Sequence, residues 1–569
     1  MILALPMAAR PGGGTPEPRS ASAPRLVSSV PSRVSGVVAV VVIAAVVRLL
    51  YLADLHATPW WDHLVVDPQY YDEWAQRIAA GEWLGTRAFY MDPLYPYLLA
   101  VVYRVVGHDL LAARLVNVAC SVAACVFTVL LGRRVGGRPV GMLAGLGLAL
   151  YEPDVFHIGE IDKTSLSMLL VASFLHLFLG ADGRRGRLSV AGVVLGLAAL
   201  TRANLLVFAP LGVLVLAFGL DGVPVDPVRA HGRGTRAAFF ALGIVAVLAP
   251  VAWRNHHVSG EWVLTTTQLG QNFYTGNNPE NPYGAYGVVS FVRANPHFEE
   301  TDFRAVAEER AGRSLTTAET SWFWFRAALA HMAAEPAFAA RAFGWKTLLL
   351  WNDFEISDSQ DQYLLERDAR VLRLPLLGFG EVLALAALGT VAAFRRNRAV
   401  RLLSGFVLVY GATLVAFFIF ARYRIQLVPA LLPLAGIGAW EAWARLRAGD
   451  VRRMATGTAV VGAAAWLSFH TVGHFWRDQP RVVEMRLRHL AEMRMEVGDT
   501  DRAVAALQEA IPKCTHGCPF ALADLFEIYR RTGRAAEGVR YFETFVREHP
   551  GQLDAPGYLA ELRAAAAPP

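Results

Sequence analysis

Several side chains in this sequence stand where ionisable groups are costly and therefore ask for a use. Asp67 lies just beyond the first apolar run, ahead of an amphipathic stretch (Tyr70, Tyr71, Trp74, Ile78) that can rest on a membrane surface. A carboxylate so placed can act as a general base facing water, within reach of a lipid headgroup. The plain alternative is an acidic loop with interfacial aromatics. Arg202 is the only charged residue between positions 188 and 220. An arginine deep in an apolar run faces a polar cavity or an ion-pair partner. Arg422 and Arg424 sit between two apolar runs, against the prevailing charge bias, as functional cations or as snorkelling anchors. Lys163, one of three lysines, opens an apolar run after Glu160 and Asp162. It suits a phosphate as a point charge, or anchors a helix end. His157 with Glu160, and His256–His257, offer metal-type pairs without a third ligand at a defined spacing. No metal or cofactor is expected, with a divalent ion left open.

These residues need elements to hold them, and the composition says which. The chain has 569 residues, 54% hydrophobic and 18% charged, with a mean hydropathy of +0.35. A soluble domain carries about a quarter charged residues. Here the apolar excess falls in long runs, so the expected fold is an all-α polytopic membrane protein. A cytosolic enzyme, a secreted disulfide scaffold and a disordered tail protein are excluded. The net charge of +6 is carried mainly by arginines in short loops, so no nucleic-acid partner is expected. Spans are expected at 35–53, 110–132, 139–157, 164–180, 188–202, 204–220, 237–254, 371–394, 402–420, 425–443 and 455–475. Residues 188–220 would be about 50 Å long as one helix, so two short passes meeting near Arg202 fit better. Residues 94–106 are too short to span and read as a surface helix.

Arginine clusters at 10–33, 133–138, 184–187, 229–236, 395–401 and 445–453 all fall on one side of the eleven spans, which the positive-inside rule makes cytoplasmic. Residues 1–34 read as a disordered cytoplasmic leader, with an anchor rather than a removed signal peptide behind it. Two large loops, about 54–109 and 255–370, then lie outside. Residues 54–94 carry seven acids and two arginines, a net charge of −5. The segment 476–569 lies outside too. Its helix breaks at 497–499 and 532–534 are 35 residues apart, close to the tetratricopeptide period. Cys514 and Cys518 in this tail are a local disulfide or a reduced spectator pair.

The first loop also carries a resemblance. It reads Asp-x-x-Tyr-Tyr-x-x-Trp-Ala from Asp67, then a Gly-x-Trp turn, then Asp-Pro-Leu-Tyr-Pro-Tyr-Leu-Leu-Ala from Asp92. TyrGluPro at 151–153, GlyLeuAlaAlaLeuThrArg at 196–202, GlyAsnAsn at 276–278 and ArgTyrArg at 422–424 follow in order. Together they resemble the C-type, lipid-linked sugar transferases of the protein O-mannosyltransferase and aminoarabinose transferase kind (family 39), over about residues 35–475. The resemblance implies an outward-facing cavity and an inverting transfer of a sugar from a polyprenyl-phosphate donor. It implies that Asp67 is the catalytic base. The sequence departs from the family in having Asp67–Pro68 where Asp-Glu is frequent, and Asp92 where a basic residue often precedes Pro-Leu-Tyr.

On that reading the leaving lipid phosphate needs cations, and an arginine fork donates two parallel hydrogen bonds. The expected substrate-binding set is Tyr71, Asp92, Glu160, Lys163, Arg202, Asn277, Asn278, Arg422 and Arg424. Asn277 and Asn278 belong to an amide- and aromatic-rich stretch that suits sugars, although Asn, Gly and Pro also simply make turns. The expected partners are the polyprenyl-phosphate sugar, a lipid, glycan or protein acceptor, membrane lipid, and a protein docked on the C-terminal repeats. The expected place is a bacterial cytoplasmic membrane, with the site and the tail on the periplasmic side. The competing readings are a polytopic transporter, a non-catalytic repeat scaffold, and an enzyme using a pyrophosphate donor. The acids cluster at the outer face and no internal duplication is visible, which disfavours the transporter.

Overall fold

A computed structural model describes residues 31–221, 232–284, 286–287, 289–293, 295–449, 451–470, 480–513, 519–550 and 554–566. Residues 1–30 of the expected 1–34 leader, Arg229, the last residues of the eleventh span and the Cys514–Cys518 pair lie outside these, whereas 31–34 already belong to the first helix. Among the described residues the chain is helical with no strands, and it is a multi-pass membrane protein. Among the described residues, five helices are long and apolar enough to cross a membrane, and shorter apolar helices pack among them.

Helix α1 (Pro31–His56) packs on α4 (Leu110–Ala149), which also carries α6 (Thr164–Leu179) and α18 (Val428–Ala448). Helix α4 is a hairpin in effect, because Gly136 and Gly137 leave helical geometry, Gly137 at φ 81°. A glycine turn followed by Pro139 sends the chain back along itself. The returning arm stops at Ala149, where a span to 157 was expected. Pro153 has no N–H for the carbonyl of Ala149. Arg48 of α1 instead donates to the carbonyls of Leu148 (3.1 Å) and Ala149 (3.0 Å). It also pairs with Asp154, so the charge is compensated inside the bundle.

Helices α7 (Arg185–Ala199) and α8 (Phe208–Ala217) are the two short passes expected from residues 188–220, and Arg202 sits in extended geometry between them. Both pack on α9 (Arg233–Ser259). Helix α15 (Phe379–Ala393) begins eight residues later than expected. Pro375 interrupts the run, and Leu377 instead exchanges backbone hydrogen bonds of 2.9 Å with Leu150 and Glu152. Helix α16 (Arg398–Ala416) ends four residues early, which frees 417–420 to run towards the loops.

Helices α15 and α18 meet at two glycines. A Cβ on Gly389 would lie 1.9 Å from the carbonyl oxygen of Leu434, and one on Gly438 would lie 2.0 Å from that of Leu385. A Gly389→Val variant must therefore separate the two helices. We expect it to destabilise by about 1–3 kcal/mol, read as a lowered thermal midpoint in detergent. An unchanged midpoint would show that the helices part freely.

The two large loops form helices at one end of the bundle. The first gives α2 (Val66–Ala79) and, as expected, the short α3 (Leu94–Val106), packed together through Tyr71, Ala75, Ile78, Tyr95, Leu99 and Tyr103. The second gives α10 (Leu269–Gly276), α11 (Pro296–Ala311), α12 (Thr317–Ala334), α13 (Pro336–Trp351) and the one-turn α14 (Gln362–Leu365). The C-terminal segment forms Pro480–Glu496, Thr500–Ala510, Pro519–Arg531, Ala535–Glu548 and Ala555–Ala566, each packed on the next. Its apolar core is continuous with that of the loop end of α1, through Leu52, Leu55, Trp60 and Leu364.

Candidate active site

Asp67 is the second residue of α2, where the helix N-terminus favours a negative charge. Val66 before it holds φ 54°, a strained value for a β-branched residue. The turn this forces aims the buried Asp67 carboxylate at Arg422, with Oδ2 2.7 Å from Nη1. Two further acids meet the same guanidinium. Asp162 lies 3.7 Å from Nη1, and Asp358 pairs with Nη2. Three carboxylates from three separate segments thus converge on one buried arginine. A cation held by several acids compensates their burial, while none of them would tolerate burial alone.

Each member is braced. Asp162 accepts from Thr164, at 2.8 Å from the backbone N–H and 2.6 Å from the hydroxyl. Arg202 turns from its break between α7 and α8 to donate to the Arg422 carbonyl (2.9 Å) and the Thr164 hydroxyl (3.2 Å). Its guanidinium lies 4.6 Å from the Tyr423 ring centroid. The Gln426 amide, oriented with nitrogen towards the Arg422 carbonyl (3.0 Å), accepts from Arg202 Nε at 3.1 Å. Beside them Lys163 pairs with Asp92 and stands 5.5 Å from the Tyr71 ring centroid. The charge of Asp92 is thus matched by a lysine from another segment. Glu160 accepts the Gln360 N–H (3.2 Å) and lies 2.6 Å from His157 Nδ1.

The expected residues divide. Asp67, Arg202 and Arg422 come together, with Asp92, Lys163, Tyr71 and Glu160 around them. Arg424 does not join them. It pairs with Glu355 (2.7 Å) and donates to the carbonyls of Phe354 (3.0 Å) and Asn352, fastening the start of the segment that carries Asp358. Asn277 and Asn278 sit elsewhere, spending their amides on the carbonyls of Phe273, Tyr274, Thr275 and Ala416. Lys346 donates to Asn277 at 2.8 Å. Asp72, a neighbouring acid of the first loop, binds Tyr103 (2.5 Å) and His108 (3.0 Å) instead. Among the described residues no three His, Cys, Asp or Glu side chains form a group able to hold a metal ion. Cys120 and Cys125 are free and buried.

Two further acids near the site carry no distinguishing signal in the sequence. Asp358 belongs to an evidently acidic and aromatic run, 351–363, but nothing in the spacing separates it from Asp353, Glu355 or Asp361. Glu299 opens an ordinary polar helix, α11. Burial, with the charge of Asp67 next, pushes the Glu299 carboxyl up to about 7. Burial likewise pushes Asp358 up to about 7 against the pull of Arg422, with Asp67 adding to the rise. Both groups therefore hold more protons folded than unfolded between about pH 4 and 7. Their contribution to stability is fully present below that window and is lost as pH rises through it. We expect the change of thermal midpoint in detergent between about pH 4.5 and 7 to be less downward in Glu299→Gln than in wild type. Parallel slopes for the two proteins would remove Glu299 from this account.

The chain is similar to the C-type, lipid-linked sugar transferases that its motifs resemble. Residues 91–252 match the family model described as dolichyl-phosphate-mannose-protein mannosyltransferase. The match takes in Asp92, Glu160, Lys163 and Arg202. Among solved structures, the oligosaccharyltransferase of Archaeoglobus fulgidus is 14% identical with a TM-score of 0.44, covering 79% of this chain and 58% of its own. This chain therefore spans little more than half the length of that protein. ArnT from Cupriavidus metallidurans, bound to undecaprenyl phosphate, is 15% identical with a TM-score of 0.41, covering 95% of this chain and 88% of its own. No curated protein matches significantly.

Proposed function

We propose that this protein is a membrane glycosyltransferase that moves a sugar from a lipid-phosphate donor to an acceptor hydroxyl, with inversion, at the loop end of the bundle. The observation that carries the reading is the convergence of Asp67, Asp162 and Asp358 on Arg422, backed by Arg202. The family model matched by residues 91–252 names a dolichyl-phosphate-mannose donor, which supports the donor class. The donor's phosphate takes over Arg422, and Asp67 is released to face the acceptor. Asp67 accepts the hydroxyl proton as that oxygen bonds to the anomeric carbon. The bond from that carbon to the phosphate oxygen breaks, and the phosphate leaves with the electron pair. Arg422, Arg202 and Lys163 meet the charge that grows on it. Attack from the side opposite the leaving group inverts the anomeric centre.

The expected topology goes with this reading. Eleven spans put the loop end, the C-terminal helices and the site on the periplasmic face of a bacterial cytoplasmic membrane. Residues 1–34 stay in the cytoplasm, and 476–569 make a tetratricopeptide-like unit. The acceptor is a protein, lipid or glycan of the envelope. The test is transfer of radiolabelled sugar from polyprenyl-phosphate mannose and related donors to membrane extracts by the purified, reconstituted protein. Labelled product is expected, and its identity names the acceptor. No labelling from folded protein with any lipid-monophosphate donor overturns the reading in favour of a pyrophosphate donor, a transporter or a scaffold.

A further inference from the structure

The C-terminal helices reach the segment that carries Asp358. That segment, residues 352–373, leaves α13 at Asn352 and crosses the loop end of the bundle. On one side it touches the site, because Asp358 pairs with Arg422 and the Gln360 N–H binds Glu160 at 3.2 Å. Three residues beyond Asp358, Asp361 turns the other way. Its carboxylate caps α14 by accepting the Leu364 N–H (2.9 Å), and it accepts from a terminal nitrogen of Arg486 (2.6 Å) and forms an ion pair with that guanidinium, which comes from the C-terminal helix Pro480–Glu496. Two more pairs follow along the segment. Arg367 holds Glu509 through both nitrogens (2.9 and 3.0 Å), and Asp368 binds Arg494 at 2.6 Å. Leu364, Leu365, Ala369 and Leu372 belong to the same buried apolar cluster as Leu487, Leu490 and Ala491.

Such an arrangement is more than a tether. Exposed surface pairs contribute little, about 0–1 kcal/mol. Here the Arg486 and Asp361 side chains are 13% and 7% exposed, joined by a hydrogen bond from a terminal nitrogen with Nε at ion-pair distance, so breaking the pair leaves a largely buried charge uncompensated. The segment has little regular structure of its own beyond one turn of helix and a short 3-10 turn. Its course is therefore set by what grips it, Arg424 at one end and the C-terminal helices at the other.

We propose that the C-terminal helical domain is an internal clamp, with Arg486 as a positioning residue that sets Asp358 against Arg422 through Asp361. The domain thereby acts on the site of its own chain, apart from any partner it binds. The claim of a catalytic consequence rests on the proposed transferase reading, whereas the claim of a clamp does not.

The experiment uses the full-length protein in detergent or nanodiscs and two readouts. Hydrogen exchange of peptides spanning residues 355–363 reports the segment itself. Sugar transfer from polyprenyl-phosphate mannose reports the site. Arg486→Gln should raise exchange in 355–363 at least tenfold while peptides of α4 and α18 keep their protection. The same variant should lower kcat more than tenfold with KM changed less than threefold. Arg486→Lys should recover part of both. Exchange in 355–363 that matches wild type in Arg486→Gln overturns the clamp. So does a rise spread evenly over the whole protein, which marks general unfolding. If wild type transfers no sugar, the transferase reading falls, and the exchange data still decide the clamp.

Discussion

Asp67→Asn should abolish sugar transfer while leaving the fold in place. The amide has the size of the carboxylate and its oxygen can still accept from Arg422 Nη1, so the 2.7 Å contact survives in neutral form. What disappears is a group that takes a proton. A positioned base contributes about 10²–10⁴ to a rate, and kcat should fall by that factor. The donor contacts proposed for Arg422, Arg202 and Lys163 do not involve Asp67, so KM for the donor should move little. The thermal midpoint of the variant should stay near that of wild type, because two of the three acids that neutralise Arg422 remain. A rate within a few-fold of wild type would exclude Asp67 as the base. Asp162 and Glu299 would then be the next acids to test.

The pieces of this site were legible in the sequence to very different degrees. Arg202 was, because one charge in a long apolar run cannot be left unpaired in a membrane, and the break in the helix at that point follows from the length of the run. Asp67 was marked by its place after the first span and Asp92 by the Asp-Pro-Leu-Tyr motif it opens, although only the fold shows that Asp92 meets Lys163. ArgTyrArg was visible as a unit, yet its two arginines point to different tasks. In the one-turn helix Ala421–Arg424 they stand two residues apart, which faces their side chains differently. Arg422 goes to Asp67, Asp162 and Asp358, and Arg424 to Glu355 and the carbonyls of 349–354. Asp358 was not legible, since its importance comes from where an irregular segment crosses the bundle, and irregular segments carry no periodicity to read. The Asn277–Asn278 pair shows the opposite case. Its residue types suit a sugar, and the backbone turn after α10 consumes them. Two helix ends were misplaced for a shared reason: Pro153 and Pro375 each remove a backbone donor inside an apolar run, and hydropathy does not register that loss.

Arg422→Met should cost both activity and stability, and the two losses should respond differently to pH. The side chain is buried and stands among Asp67, Asp162 and Asp358. Methionine fills much of the volume, so the loss is chiefly of charge. Removing one partner of a buried ion pair costs about 3–5 kcal/mol, because the remaining charge is left uncompensated. Here three carboxylates lose their common cation, and at least one must take up a proton to stay buried. The folded variant therefore binds more protons than the unfolded chain above the ordinary carboxylate range, and its stability falls as pH rises. Its thermal midpoint should drop steeply from acidic to neutral pH, more steeply than that of wild type, and acid should bring the two closer together. Transfer should not return with the midpoint, since protonated acids restore burial without restoring a cation for the leaving phosphate. Arg422→Lys separates the two roles further. One ammonium restores a positive charge and much of the midpoint, but it lacks the fork that holds Asp67 on one nitrogen and Asp358 on the other, so kcat should remain low. A lysine variant with wild-type kcat would show that charge alone suffices. A methionine variant whose midpoint follows the wild-type curve at every pH would mean that the three acids are neutralised without Arg422.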